Sequence, residues 1–110
     1  TRDHSLVEEY RRQGLLSADQ VQTHPLRHVL SRAVGPDPEV ESEACTLALE
    51  QNDRLLLCTD GLTKMLTDAE IGKIMVQTED VQAGCAELVA AANRRGGDDN
   101  VTVVLVLWRC

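Results

Sequence analysis

Phenylalanine is absent from this chain, and Tyr10 and Trp108 are its only aromatic residues. With 110 residues and 43% hydrophobic content, it can fill one modest, aliphatic core and no more than one small domain. Positive charge is also scarce. A formal net charge of −7 argues against a general nucleic-acid binder, because affinity for a phosphate backbone rests on Lys and Arg. The four cysteines, Cys45, Cys58, Cys85 and Cys110, are far apart, and no C-x-x-C pair or matched His spacing suggests zinc or a redox dithiol. They are expected to be reduced thiols in a cytoplasmic protein, with Cys58 a buried, inert one. No stretch has the length of a membrane span, and no signal peptide is visible. The chain starts at Thr1 rather than Met, which reads as a fragment or a processed product. Neither a G-x-S-x-G elbow nor a G-x-x-x-x-G-K-[ST] loop is present, so serine nucleophiles and P-loop nucleotide hydrolysis lack support.

What is present is organised around residues 53–65, DRLLLCTDGLTKM. The apolar run Leu55, Leu56, Leu57 and Cys58 reads as a strand covered on both faces, and it delivers Asp60 to the point where the strand must stop. Gly61 then lets the backbone turn and lets a ligand approach the main chain. A second placement lies near the other end, where Gly96, Gly97, Asp98, Asp99 and Asn100 lead into the β-branched run of residues 101–107,. Two strands with an acidic residue beside a glycine at one end can bring carboxylates together. Oxygen-only clusters of that kind suit Mg²⁺ or Mn²⁺ rather than zinc. Asp98 is expected to be a solvated turn carboxylate.

Around these two stretches the spacing predicts a short helix opened by a Ser5 and Glu8 capping box, and a second from Ser17 through Val21 that ends before Pro25. His24 and His28 are four apart, but Pro25 favours a cap over a metal pair. Residues 43–50 alternate and predict a strand, and the short link through Gln51 and Asn52 predicts an antiparallel hairpin with the strand that follows. After one helical turn at residues 62–66, Thr67 and Glu70 form another capping box, and a helix from Asp80 to Arg94 carries an apolar stripe. The order predicts an α+β fold, with helices packed on an antiparallel sheet.

These residues resemble the metal-dependent Ser/Thr protein phosphatases of type 2C, the PPM family. Thr1, Asp3, His4 and Ser5 look like its T-x-D-H-S motif, residues 58–62 like its S/T-D-G-L motif, and residues 97–104 like its G-x-D-N-V-T-V-V motif. His24, Pro25 and residues 32–35 are similar to a motif of the bacterial branch. The order and spacing of the segments make the match specific, and it covers the C-terminal half of the family's domain. The resemblance implies part of an α-β-β-α sandwich and hydrolysis of phosphoserine and phosphothreonine in proteins. It further implies a binuclear Mn²⁺ or Mg²⁺ centre with Asp60 and Asp99 as ligands, and a third, weaker ion held by Asp3 with Asp60. Asn100 would fix the loop rather than touch metal. The family's D-G-x-G-G motif and phosphate-binding Arg have no counterpart here. The chain alone is therefore expected to be inactive and, with unpaired sheet edges, open to self-association. A phosphorylated protein is the expected partner, with no nucleic acid and no membrane. A catalytically silent phosphatase-like binding module is the alternative.

Overall fold

Caps and apolar stripes divide the chain into five helices and two strands in a computed structural model that describes residues 1–109. Two units can be distinguished, Thr1–Thr46 and the residues from Leu47 onward. The thiol expected at Cys110 lies outside the described residues.

The first unit carries helices α1 (Leu6–Arg12) and α2 (Ala18–Thr23). Ser5 Oγ accepts from the Glu8 amide at 3.4 Å, but the return half of the expected capping box is not made. Glu8 instead pairs with Arg11, whose Nε donates to it at 2.8 Å. A guanidinium one turn away offers the carboxylate two charge-assisted bonds, stronger than one to a neutral amide. The Ser17 and Gln20 box is complete, and α2 runs two residues beyond its expected end at Val21. It stops at extended His24, as the following Pro25 requires,. His24 Nδ1 accepts from the Leu26 amide at 3.1 Å, which makes it a local cap rather than half of a histidine pair.

The second unit contains β1 (Arg54–Cys58), α3 (Asp60–Thr63), α4 (Asp68–Gln77), α5 (Val81–Arg94) and β2 (Val103–Leu107). The two strands pair antiparallel in a two-stranded sheet, with Leu56 opposite Leu105 and Cys58 opposite Val103. This corrects the expected hairpin. Residues 43–50 form no strand, and the backbone just before β1 is tied to the end of β2: the Asn52 amide donates to the Trp108 carbonyl and the Trp108 amide to the Asp53 carbonyl, both at 2.9 Å. The expected turn does form, with Asn52 at φ 71° and the Asp53 amide donating to the Glu50 carbonyl at 3.1 Å, but residues 43–50 do not pair with β1 beyond it. Alternation alone makes no strand without a partner for its ladder.

The sheet is also covered on one face only, where a double-sided cover was expected. Leu56, Val103 and Leu105 face a core of Leu62, Leu66, Ile71, Leu88, Ala91 and Ala92. Leu62 and Leu88 are fully buried, each stabilising the unit by about 1.5–3 kcal/mol. Gly84 brings α5 onto the sheet, because a Cβ there would lie 2.8 Å from Leu105 Cδ2. On the opposite face Leu57, Val104 and Val106 are exposed. Cys58 is exposed as well, contrary to the buried thiol expected, although partial burial still raises the pKa of its thiol.

α4 begins with the expected Thr67 and Glu70 capping box. Glu70 accepts from the Thr67 amide at 2.9 Å and from Thr67 Oγ1 at 2.8 Å, and also pairs with Arg95. The Thr67 amide, then its hydroxyl and Arg95, pull the Glu70 carboxyl from 4.5 to about 2. A depressed carboxylate pKa contributes stability that is fully present above the unfolded value and disappears as pH falls through the folded one. Urea midpoints should therefore fall between pH 4.5 and about 2, and Glu70→Gln should lower the midpoint at pH 7 while flattening that acid dependence. An unchanged acid slope in the variant would contradict this assignment.

Candidate functional site

The register of the sheet sets the end of β1 beside the start of β2, so the loop after one strand faces the loop before the other. Thr59 fastens the two loops. Its amide donates to the Thr102 carbonyl at 3.0 Å, its Oγ1 donates to the Asn100 carbonyl at 3.1 Å, and the same hydroxyl accepts from the Thr102 amide at 3.0 Å. Gly61 completes the joint. A Cβ there would lie 2.3 Å from the Asn100 carbonyl oxygen, so the backbone that approaches this glycine is the other loop of the site, where a ligand had been expected.

Asp60 opens α3, with Thr59 as its N-cap residue. Asp99 is held in place by the Asn100 amide, which donates to its Oδ1 at 2.8 Å. Asn100 thus acts through its main chain, donating to Asp99 and accepting from Thr59. Both carboxylates reach one cation. Lys64 Nζ lies 2.7 Å from Asp60 Oδ2 and 3.4 Å from Asp99 Oδ2, so the two oxygens are no further apart than those two distances laid end to end. The Asn100 amide first, and Lys64 second, lower the pKa of Asp99. The hydrogen bond to Asp60, more than that to Asp99, raises the pKa of Lys64.

The structure therefore brings Asp60 and Asp99 together, 39 positions apart in the sequence. Asp3 belongs to the first unit, where its Oδ2 accepts from Ser5 Oγ at 3.2 Å. Asp98 is exposed. Lys64 is not among the residues predicted from the sequence, and Thr59 enters there only as the first residue of the S/T-D-G-L resemblance. The lysine could have been found from its spacing, since residues four apart face each other on a helix. The motif marks the threonine, but its role in fastening the loops carried no local signal, because its partners lie more than forty residues away.

Chemically, the paired carboxylates are a two-oxygen grip for a hard cation, and the position of Lys64 shows that positive charge fits between them,. Mg²⁺ asks for six ligands in octahedral array. Among the described residues no group of three or more His, Cys, Asp or Glu could hold a metal, so the pair suits part of a metal site.

Residues 12–109 match the family model Stage II sporulation protein E (SpoIIE). The serine/threonine phosphatase stp of Listeria innocua is 39% identical over 106 residues, covering 96% of this chain and 42% of that protein. The S. agalactiae serine/threonine phosphatase superposes with a TM-score of 0.92 at 34% identity, over 99% of this chain and 45% of that one. The catalytic domain of the serine/threonine phosphatase PstP, solved with two manganese ions, superposes with a TM-score of 0.69 at 31% identity, over 96% of this chain and 42% of that one. The chain thus spans less than half the length of the relatives it matches.

Proposed function

This chain belongs to the family of the SpoIIE model and of the PPM-type serine/threonine phosphatases, and we propose on that premise that it is the C-terminal portion of a catalytic domain hydrolysing phosphoserine and phosphothreonine in proteins. The convergence of Asp60 and Asp99 on one cationic position carries this reading. In it, Asp60 and Asp99 would each give a carboxylate oxygen to Mn²⁺ or Mg²⁺,. Bound metal would supply neutralisation of phosphoryl charge and a lowered pKa for the attacking water. The chain's own work is orientation: Thr59 and the close contact at Gly61 hold the two acidic loops at a fixed spacing, and the Asn100 amide aims Asp99.

The remaining ligands belong, in this proposal, to the rest of the domain, whose sheet would cover the bare face of Leu57, Val104 and Val106. Left uncovered, that face and the strand edges would favour self-association. A reducing cytoplasmic setting is part of the same reading, supported by the free thiols of Cys45, Cys58 and Cys85. A second reading, a catalytically silent phosphatase-like module, draws support from Lys64 filling the position a metal would take.

The test compares the 110-residue chain with a protein that joins it to the rest of its catalytic domain, using a phosphothreonine peptide with Mn²⁺. The complete domain should turn over and lose activity in EDTA, while the chain alone should stay at background. Turnover by the chain alone would overturn the division of the site, and an inert complete domain that binds no Mn²⁺ would favour the silent module.

A further inference from the structure

Lys64 stands out among the cations of the second unit. An ordinary helix-supporting lysine pairs with the carboxylate one turn before it, as Lys64 does with Asp60 at 2.7 Å,. Lys64 in addition reaches Asp99 at 3.4 Å, thirty-five residues further along and on a different loop. Its ammonium therefore lies between the two side chains that the proposed function assigns to a divalent ion. Its side chain is 36% exposed, so the ammonium can leave on a flexible stem.

We infer that Lys64 is a tethered competitor for the metal position: it holds the Asp60 and Asp99 carboxylates together when no metal is bound and weakens their grip on a divalent cation. This inference rests on the metal-site reading above. Two carboxylates this close repel one another, and a single positive charge between them more than offsets that repulsion, because its two attractions, at 2.7 and 3.4 Å, act against one repulsion,. An arriving divalent ion must either displace the ammonium, breaking both of its contacts, or share the site with a like charge. Either course reduces the net gain from metal binding. A neutral side chain at position 64 removes the competition and leaves both carboxylates in place. Arginine keeps the charge.

The effect is readable without activity. Mn²⁺ broadens nearby amide signals by paramagnetic relaxation, so a titration of the ¹⁵N-labelled chain followed at Gly61 and Asn100 reports local binding even when it is weak. Lys64→Gln should move the half-broadening concentration roughly 3- to 30-fold lower, the range expected for removing one positive charge beside a divalent ion in a partly screened, exposed site. Lys64→Arg should stay within about twofold of the parent chain, because the charge is unchanged. Lys64→Met, which differs from glutamine in shape and polarity but shares its neutrality, should reproduce the glutamine result. Should the neutral variants bind no tighter than the parent while the parent itself is broadened locally, the competitor role fails and the metal site survives. If neither parent nor variants show local broadening, in the chain or in the complete catalytic domain, the metal-site reading fails and takes this inference with it. Equal tightening by arginine and glutamine would also overturn the inference, since charge would then not be the cause.

Discussion

Gly61→Ala is expected to lower the melting temperature of the second unit by roughly 8–16 °C. The added methyl would lie 2.3 Å from the Asn100 carbonyl oxygen and 3.0 Å from its carbon. Both are main-chain atoms anchored by Thr59, so the obstacle cannot move aside as the end of a side chain would. Overpacking of this kind costs about 1–3 kcal/mol, and its upper end applies where backbone must shift. Alanine's better helix propensity returns about 1 kcal/mol at most. The net of about 2 kcal/mol converts at 4–8 °C per kcal/mol for a unit of this size. Gly72→Ala supplies the contrast. It lies in α4 with nothing within 4 Å of an added Cβ, so the same substitution should be neutral or stabilising by about 1 kcal/mol. Thermal melts followed by circular dichroism compare the two directly, and similar melting temperatures for both variants would mean that the joint between the loops is not tight.

Asp60→Asn and Asp99→Asn, each made in the complete catalytic domain, should reduce Mn²⁺-dependent turnover of a phosphothreonine peptide by roughly 100- to 1000-fold. The estimate follows from the several kcal/mol of charge stabilisation that a catalytic metal provides, at about 1.4 kcal/mol per factor of ten. Asparagine keeps the shape of aspartate and one oxygen, so steric effects are small. What it removes is the negative charge that holds a hard cation against water. Stability should change little, since both side chains are exposed and each substitution trades an ion pair with Lys64 against relief of the repulsion between the carboxylates,. Loss of activity with an unchanged melting temperature would therefore identify a role in the chemistry. Near-parental turnover in either variant would remove that residue from the metal site. The corresponding change at Asp98 serves as the control, being an exposed neighbour of the same charge.

Local signals in the sequence carried the helices well. Ser17 and the Thr67 and Glu70 box cap where their spacing places them, and α5 keeps its expected extent with Asp80 as its cap residue, because a cap involves residues only three positions apart. The hairpin over residues 43–58 was misread for the complementary reason. Alternation in residues 43–50 states which faces a strand would have, but not whether a partner exists, and β1 takes β2 across three intervening helices. The same limit explains the face of Leu57, Val104 and Val106: an apolar run looks identical whether its second face is covered within this chain or not.

By itself the sequence determined the acidic residues at the ends of two apolar runs, the caps that start the helices and the motif pattern of a phosphatase family, all of which depend on chemistry between near neighbours. Tertiary structure decided that β1 and β2 lie side by side, that Gly61 makes room for the Asn100 backbone, and that Lys64 sits between Asp60 and Asp99. Apart from the local pair of Lys64 with Asp60, those contacts join residues 35 to 53 positions apart, and only the pairing of the strands brings such distant groups within bonding distance.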